Sequence, residues 1–206
     1  MKVLLIGPQG SGKGTIGKLL SEKTGLPHIS VGALLREAAE TNKQIRDTLN
    51  NGDLVSYETT AGLIKSHIEK NNLGSNYILD GWVRNLGQLE VFNPNFDKVI
   101  YLTLSENDSV RRLSGRRICS SCGWMCNIYT MPPKSEGSCD LCGSKLLQRE
   151  DDTEEAVKHR LEIFYTDTMQ VVDRFRDEGI LVEVDASPLP KEVMENLLNE
   201  VVLNEN

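Results

Sequence analysis

Residues 3–15 read VLLIGPQGSGKGT, and no other stretch constrains the fold as tightly. Four glycines fall between positions 7 and 14, directly after a continuous apolar run from Val3 to Ile6. Glycine inside a packed element costs roughly 0.5–1 kcal/mol relative to alanine, so a cluster this dense marks backbone that something must approach closely. The spacing fits G-x-x-x-x-G-K, set between a short strand and a helix, the arrangement in which backbone N–H groups wrap a phosphate. The apolar run is brief and ends at glycine, as a buried strand does. From Lys13 the apolar positions take helical spacing, at Ile16, Leu19 and Leu20, with Gly25 as the stop. The N–H groups of Gly10, Ser11, Gly12, Lys13, Gly14 and Thr15 then face a phosphate at the positive end of that helix, and the Lys13 ammonium reaches its outer oxygens.

Further strands are expected at 77–79, 99–104 and 180–184, and a helix at about 57–70. Strands alternating with helices imply parallel pairing, because parallel strands need crossovers. The expected class is α/β: a P-loop NTPase-type parallel sheet with helices on both faces. After the segment DDTEE a long helix is expected, with Asp152 as N-cap, Glu155 three residues on, and Val157, Leu161, Phe164, Val171 and Phe175 along its apolar side. The chain has 206 residues and 39% apolar content, enough for one substantial domain with an insertion. Thirty acidic against 23 basic residues leave a net charge of −7, which argues against nucleic acid or an anionic membrane as the partner. The leading apolar run is too short for a signal-peptide core or a membrane span. The expectation is therefore a cytoplasmic protein whose thiols stay reduced.

One segment breaks the alternation. Residues 116–149 carry two Cys-x-x-Cys pairs, Cys119 with Cys122 and Cys139 with Cys142, separated by sixteen residues. Two such knuckles offer four thiolates to a tetrahedral structural zinc, with iron as the competing metal and a redox pair as the competing chemistry. The segment has few large apolar side chains, so a metal must stand in for a core. All four ligand positions are filled by cysteine, which leaves none for a catalytic water.

The phosphate loop has Gly14 after Lys13 and its hydroxyl one residue later, at Thr15. This GKGT resembles the loop of nucleoside monophosphate kinases, and the chain as a whole resembles the adenylate kinases of the long, zinc-containing bacterial type. HISVGALLRE (28–37), NGDLVSYE (51–58), LDGWVRNLGQ (79–88), RRLSGRR (111–117), QREDD (148–152) and KHRLE (158–162) each resemble a family segment. The resemblance implies a core of residues 1–115 and 150–206, an acceptor-binding segment at 30–59, and a zinc-binding lid at 116–149. It implies phosphoryl transfer from ATP to AMP giving two ADP, with Mg²⁺ accompanying ATP, structural Zn²⁺ in the lid, and a monomer whose partners are the nucleotides ATP, AMP and ADP.

By the same resemblance, Lys13, Arg84, Arg116, Arg149 and Arg160 are the catalytic cations. Arg112, Arg116, Met125, Cys126 and Pro188 join the phosphate loop in binding ATP. Val31, Arg36, Asp53, Leu54, Val55, Gly81, Trp82, Val83, Arg84, Gln88, Arg149 and Arg160 bind the acceptor, and Asp80 reaches magnesium through water. Asp80 also stands on its own reading, as a carboxylate at the carboxyl end of a buried strand, where open α/β sheets bind ligands. Three positions depart from the family: Val31 replaces its threonine, Ala33 its aspartate and Val83 its proline. These leave open a different nucleoside monophosphate as acceptor, and Val83 is expected to loosen the loop before Arg84. Cys126 stands where zinc-containing relatives often have an aromatic, and is read as a contact residue outside the ligand set. The other open reading is a nucleotide-binding regulator that does not catalyse. Replacing Arg116 or Arg149 by alanine is expected to impair transfer and leave the fold intact. His28, His67 and His159 are read as structural or exposed.

Overall fold

In the computed structural model, which describes residues 1–149 and 152–203, strands and helices alternate as expected. The expected core boundary at 150, and Glu150 and Asp151 of the QREDD segment, lie outside the described residues. The first half of the chain contains β1 (Lys2–Ile6), α1 (Lys13–Thr24), β2 (His28–Ser30), α2 (Val31–Thr41), α3 (Lys43–Asn51), α4 (Tyr57–Lys70), β3 (Tyr77–Asp80), α5 (Leu86–Val91) and β4 (Lys98–Thr103). Then come α6 (Glu106–Gly115), β5 (Arg116–Cys119), β6 (Met125–Asn127), β7 (Leu146–Leu147), α7 (Glu154–Ile163), α8 (Met169–Asp177), β8 (Leu181–Asp185) and α9 (Pro190–Leu203).

The five-stranded sheet runs β2-β3-β1-β4-β8, and every neighbouring pair is parallel. β1 is apolar on both faces because both are covered. Leu4 and Ile6 pack with Ala61 and Ile64 of α4, Leu89 of α5 and Phe175 of α8. Val3 and Leu5 pack on the other side with Ile16 and Leu20 of α1 and Leu197 of α9. Leu4 and Leu5 are fully buried, and truncating a core leucine to alanine typically costs about 2–5 kcal/mol. This sandwich holds the phosphate loop rigidly at the carboxyl end of β1. The chain leaves β1 toward β2 on one side and later crosses to β4 on the other, so β1 and β3 flank the crevice where such sheets bind ligands.

The insertion makes its own antiparallel sheet, β6-β5-β7. Its buried cluster is Cys119, Cys126, Cys139 and Leu146 with Trp124 against them, little core beyond the thiols.

Two expectations about the long helix are corrected. Its N-cap is Thr153, whose hydroxyl accepts from the Ala156 amide at 3.2 Å. Asp152 does not cap because its carboxylate is taken by Arg116. The helix is also interrupted by a π-helical turn, Phe164–Thr168. Such a turn inserts one residue and rotates the rest of the helix about its axis; here Thr168 is buried and its hydroxyl donates to the Arg84 carbonyl at 2.8 Å.

Candidate active site

The loop between β1 and α1 needs its glycines for backbone shape. Gly10 and Gly12 have φ of 86° and 85°, the left-handed region that side chains disfavour. A Cβ on Gly10 would also stand 3.0 Å from the Ser109 carbonyl of α6. α1 starts at Lys13 with no capping side chain from Gly12, so its first turn presents N–H groups and a positive dipole end. The Lys13 ammonium arches back over the loop, donating to the carbonyls of Gly7 at 2.7 Å and Pro8 at 2.9 Å. Burial lowers its pKa to about 8; Asp80 opposes that shift, and Arg84 and Arg116 add to it. An ammonium with two guanidinium groups near it is a place built for negative charge.

A cleft of about 960 Å³ opens in front of the loop. All the residues expected to bind ATP line it: Gly10 to Thr15, Arg112, Arg116, Met125, Cys126 and Pro188. So do Val31, Arg36, Asp53, Leu54, Val55, Asp80, Gly81, Arg84, Gln88, Arg149 and Arg160. Trp82 and Val83 do not. Both side chains are turned into the core, with the Trp82 indole donating to the Phe92 carbonyl at 3.0 Å.

Val83 is also where the expected looseness fails. It is fully buried and holds a φ of 45°, a strained value for a β-branched residue. The next residue is clamped at both ends of its peptide units. The Arg84 amide donates to Gln88 Oε1 at 2.5 Å, and its carbonyl accepts from Thr168. The Gln88 acceptor is thereby engaged, and its amide nitrogen is the edge available to a base.

Arg112 donates to the main-chain carbonyls of Ala186 and Ser187, both at 2.8 Å. With those edges engaged, its guanidinium can offer a base its flat face, beside Pro188. Arg116 forms a two-pronged pair with Asp152, Nε to Oδ2 at 2.7 Å and a second contact from its terminal nitrogen to Oδ1. Arg149 donates to the Met125 sulfur at 2.9 Å, and Arg160 to the Leu49 carbonyl of α3 at 2.8 Å.

In the insertion the ligand sulfurs of Cys119, Cys122, Cys139 and Cys142 all lie within 4.8 Å of one another. The closest pairs are Cys119 with Cys142, 3.4 Å apart, and Cys122 with both Cys139 and Cys142, each 3.6 Å apart. Four sulfurs about 2.3 Å from one tetrahedral ion would be separated by about 3.8 Å, so the geometry fits a four-thiolate metal. Hydrogen bonds from the Ser144 hydroxyl and amide, with contributions from Cys119 and Cys122, hold the Cys142 thiol down at about 6. Cys126 is buried beside this group, outside the set of four, and faces the cleft.

The family model for adenylate kinase matches residues 5–180. The chain belongs to the adenylate kinase family. It is 37% identical to an adenylate kinase of Clostridium botulinum over 97% of each chain. It is equally close to that of Thermosipho africanus, over 97% of this chain and 98% of the relative, and 36% identical to that of Fervidobacterium nodosum over 97% and 96%.

Three features of this adenylate kinase family member escape a reading of sequence. His28 lies 3.5 Å from Asp80, with its ring occupying the space that a Cβ on Gly17 would need. His159 pairs with the Asp53 carboxylate at 2.9 Å, tying α7 to the corner between α3 and α4. Asp152 holds Arg116. Each pair joins positions far apart in the chain, and no local spacing signals any of them.

Proposed function

We infer that this chain catalyses reversible transfer of the γ-phosphoryl group from ATP to AMP, giving two ADP. The carrying observation is the gathering of Lys13, Arg36, Arg84, Arg116, Arg149 and Arg160 on one cleft in a chain of net charge −7. Two polyphosphates brought end to end need such local neutralisation, and preorganised cations supply it without reorganising as the phosphoryl moves. The acceptor phosphate is already an anion, so no general base is needed.

The N–H groups of Gly10 to Thr15 cradle the ATP phosphates, with Lys13 on the β and γ oxygens. Arg112 and Pro188 flank the donor base, with Met125 and Cys126 beside it. Arg36 and Arg84 hold the acceptor phosphate, Gln88 reads its base, and Val31, Leu54 and Val55 line its pocket, with the main chain at Asp53 and Gly81 alongside. Arg116, Arg149 and Arg160 stabilise charge on the transferring group. Asp80, 6% exposed at the end of β3 and facing Gly14, fits a magnesium ion reached through water. That ion, when bound with ATP, spreads the charge of the phosphates.

The four thiolates suit structural zinc. Residues 116–149 then serve as a lid that closes over both nucleotides and keeps water from the phosphoryl group. The protein acts as a cytoplasmic monomer on small nucleotides, with neither nucleic acid nor membrane as partner. The test is ADP release with ATP and each of AMP, GMP, CMP, UMP and dTMP. AMP should be the best acceptor; turnover with none of them would overturn the assignment.

A further inference from the structure

Behind the cleft, at the end of the phosphate loop, lies a second and much smaller cavity of about 20 Å³. Gln9, Lys13, Gly81, Arg84 and Arg160 line both. Gln9 and Lys13 come from the phosphate loop, Gly81 and Arg84 from the loop after β3, and Arg160 from α7. Their common wall is therefore where two phosphate chains abut. Three of the five are cations and Gly81 holds a φ of 82°, each with a reason to be there. Gln9 has none yet. Its Oε1 is shielded from solvent and lacks a hydrogen-bond partner among the described residues. Native folds seldom tolerate this, because a buried acceptor with no donor destabilises the chain that carries it. A carboxamide held so at the meeting point of two ligands is suited to partners that arrive with them.

We propose that Gln9 is a further catalytic residue, whose Nε2 donates to a phosphate oxygen at the point of transfer. This rests on the phosphoryl-transfer reading above. The two edges of the amide have distinct tasks. Oε1 is an acceptor and cannot face an anionic oxygen, so Nε2 takes that direction. Oε1 then accepts from a water in the small cavity, whose volume suits one molecule. The side chain adds a neutral donor to a wall already rich in charge, and fixes the line along which the phosphoryl travels.

The test compares wild type, Gln9→Met and Gln9→Glu in the full chain, by steady-state kinetics with ATP and AMP and by thermal melting. Methionine keeps the length and removes both polar edges; glutamate keeps the shape and turns the donor edge into a carboxylate. For Gln9→Met, kcat should fall about ten- to hundredfold, while both KM values stay within about threefold. Its Tm should stay within about 2 °C of wild type, because the single water-borne hydrogen bond lost at Oε1 is weak in net terms and the thioether fills the same space. Gln9→Glu should be slower still. Turnover in Gln9→Met within about twofold of wild type, or a lost kcat accompanied by a lowered Tm, would overturn the proposal in favour of packing. No ADP from the wild type would remove the phosphoryl-transfer reading and this one with it; a fully active Gln9→Met beside an active wild type removes this one alone.

Discussion

Arg116 shows how a residue's expected role changes once its partner is known. Its carboxylate partner, Asp152, has a side chain with no exposed surface, while Arg116 itself is about a quarter exposed. Removing one member of such a pair leaves an uncompensated buried charge, a loss of about 3–5 kcal/mol. Arg116→Ala is therefore expected to lower the melting point as well as transfer, against the expectation that the fold is indifferent to it. The double variant Arg116→Ala/Asp152→Ala should regain most of the stability and none of the activity. Melting curves and turnover of both variants decide this, and an Arg116→Ala protein as stable as wild type would refute it. Lys13 gives a second expectation at this scale. Below about pH 8 it is protonated in the free protein; above that, phosphate binding must restore the proton. kcat/KM for ATP should accordingly fall as pH rises past 8, approaching about tenfold per unit, since that profile reports the free enzyme's groups. A flat profile to about pH 9.5 in an active protein would show that the ammonium is not depressed. Val83 supplies a third. Proline, the family's residue there, fixes φ near −65°, whereas this backbone holds +45°. Val83→Pro should destabilise the chain by at least about 1 kcal/mol, the scale for forcing a residue from its backbone well.

Elements were legible where one local rule governs them. The phosphate loop and α1 follow from glycine spacing and a helical period, and α4 was expected at the residues it occupies, Tyr57–Lys70. The thiol knuckles were equally plain, because Cys-x-x-Cys spacing is itself the geometry. What could not be read is decided by distant residues. The choice of Thr153 over Asp152 as N-cap depends on Arg116, on another strand, and both residues are competent caps in isolation. Likewise nothing near Thr168 announces a π-helical turn. The antiparallel sheet β6-β5-β7 has so few large apolar side chains that a metal held by the four thiols would be expected to stabilise it. Chelation is expected to melt this sheet at a temperature where the parallel sheet persists, as loss of a metal unfolds small metal domains. Hydrogen exchange with and without chelator measures it: new exchange should be confined to β5, β6 and β7, and unchanged protection there would defeat the expectation.

At the scale of the molecule, the cleft has two sides because the corner between α3 and α4 is fastened to α7. Arg160 donates to the Leu49 carbonyl, His159 pairs with Asp53, and the backbone at Gly52 lies against Ala156. The His159 pair is about half exposed, so it is worth little by itself, about 0–1 kcal/mol. The backbone contact is the demanding one. Gly52 has a φ of 84°, and a Cβ there would stand 2.9 Å from the Ala156 carbonyl and 3.2 Å from its Cα. Gly52→Ala must therefore strain its backbone and also push the acceptor side of the cleft away from α7. Strain of about 1–3 kcal/mol is the scale for a side chain held in the left-handed region. If it is relieved by that movement, the acceptor side is displaced while the phosphate loop, anchored in the parallel sheet, is not. KM for AMP should rise by about five- to a hundredfold, following the tenfold change per 1.4 kcal/mol, and KM for ATP should stay within about twofold. Equal rises in both constants would show that the two sides move as one body; no rise in either would show that the corner does not position the acceptor.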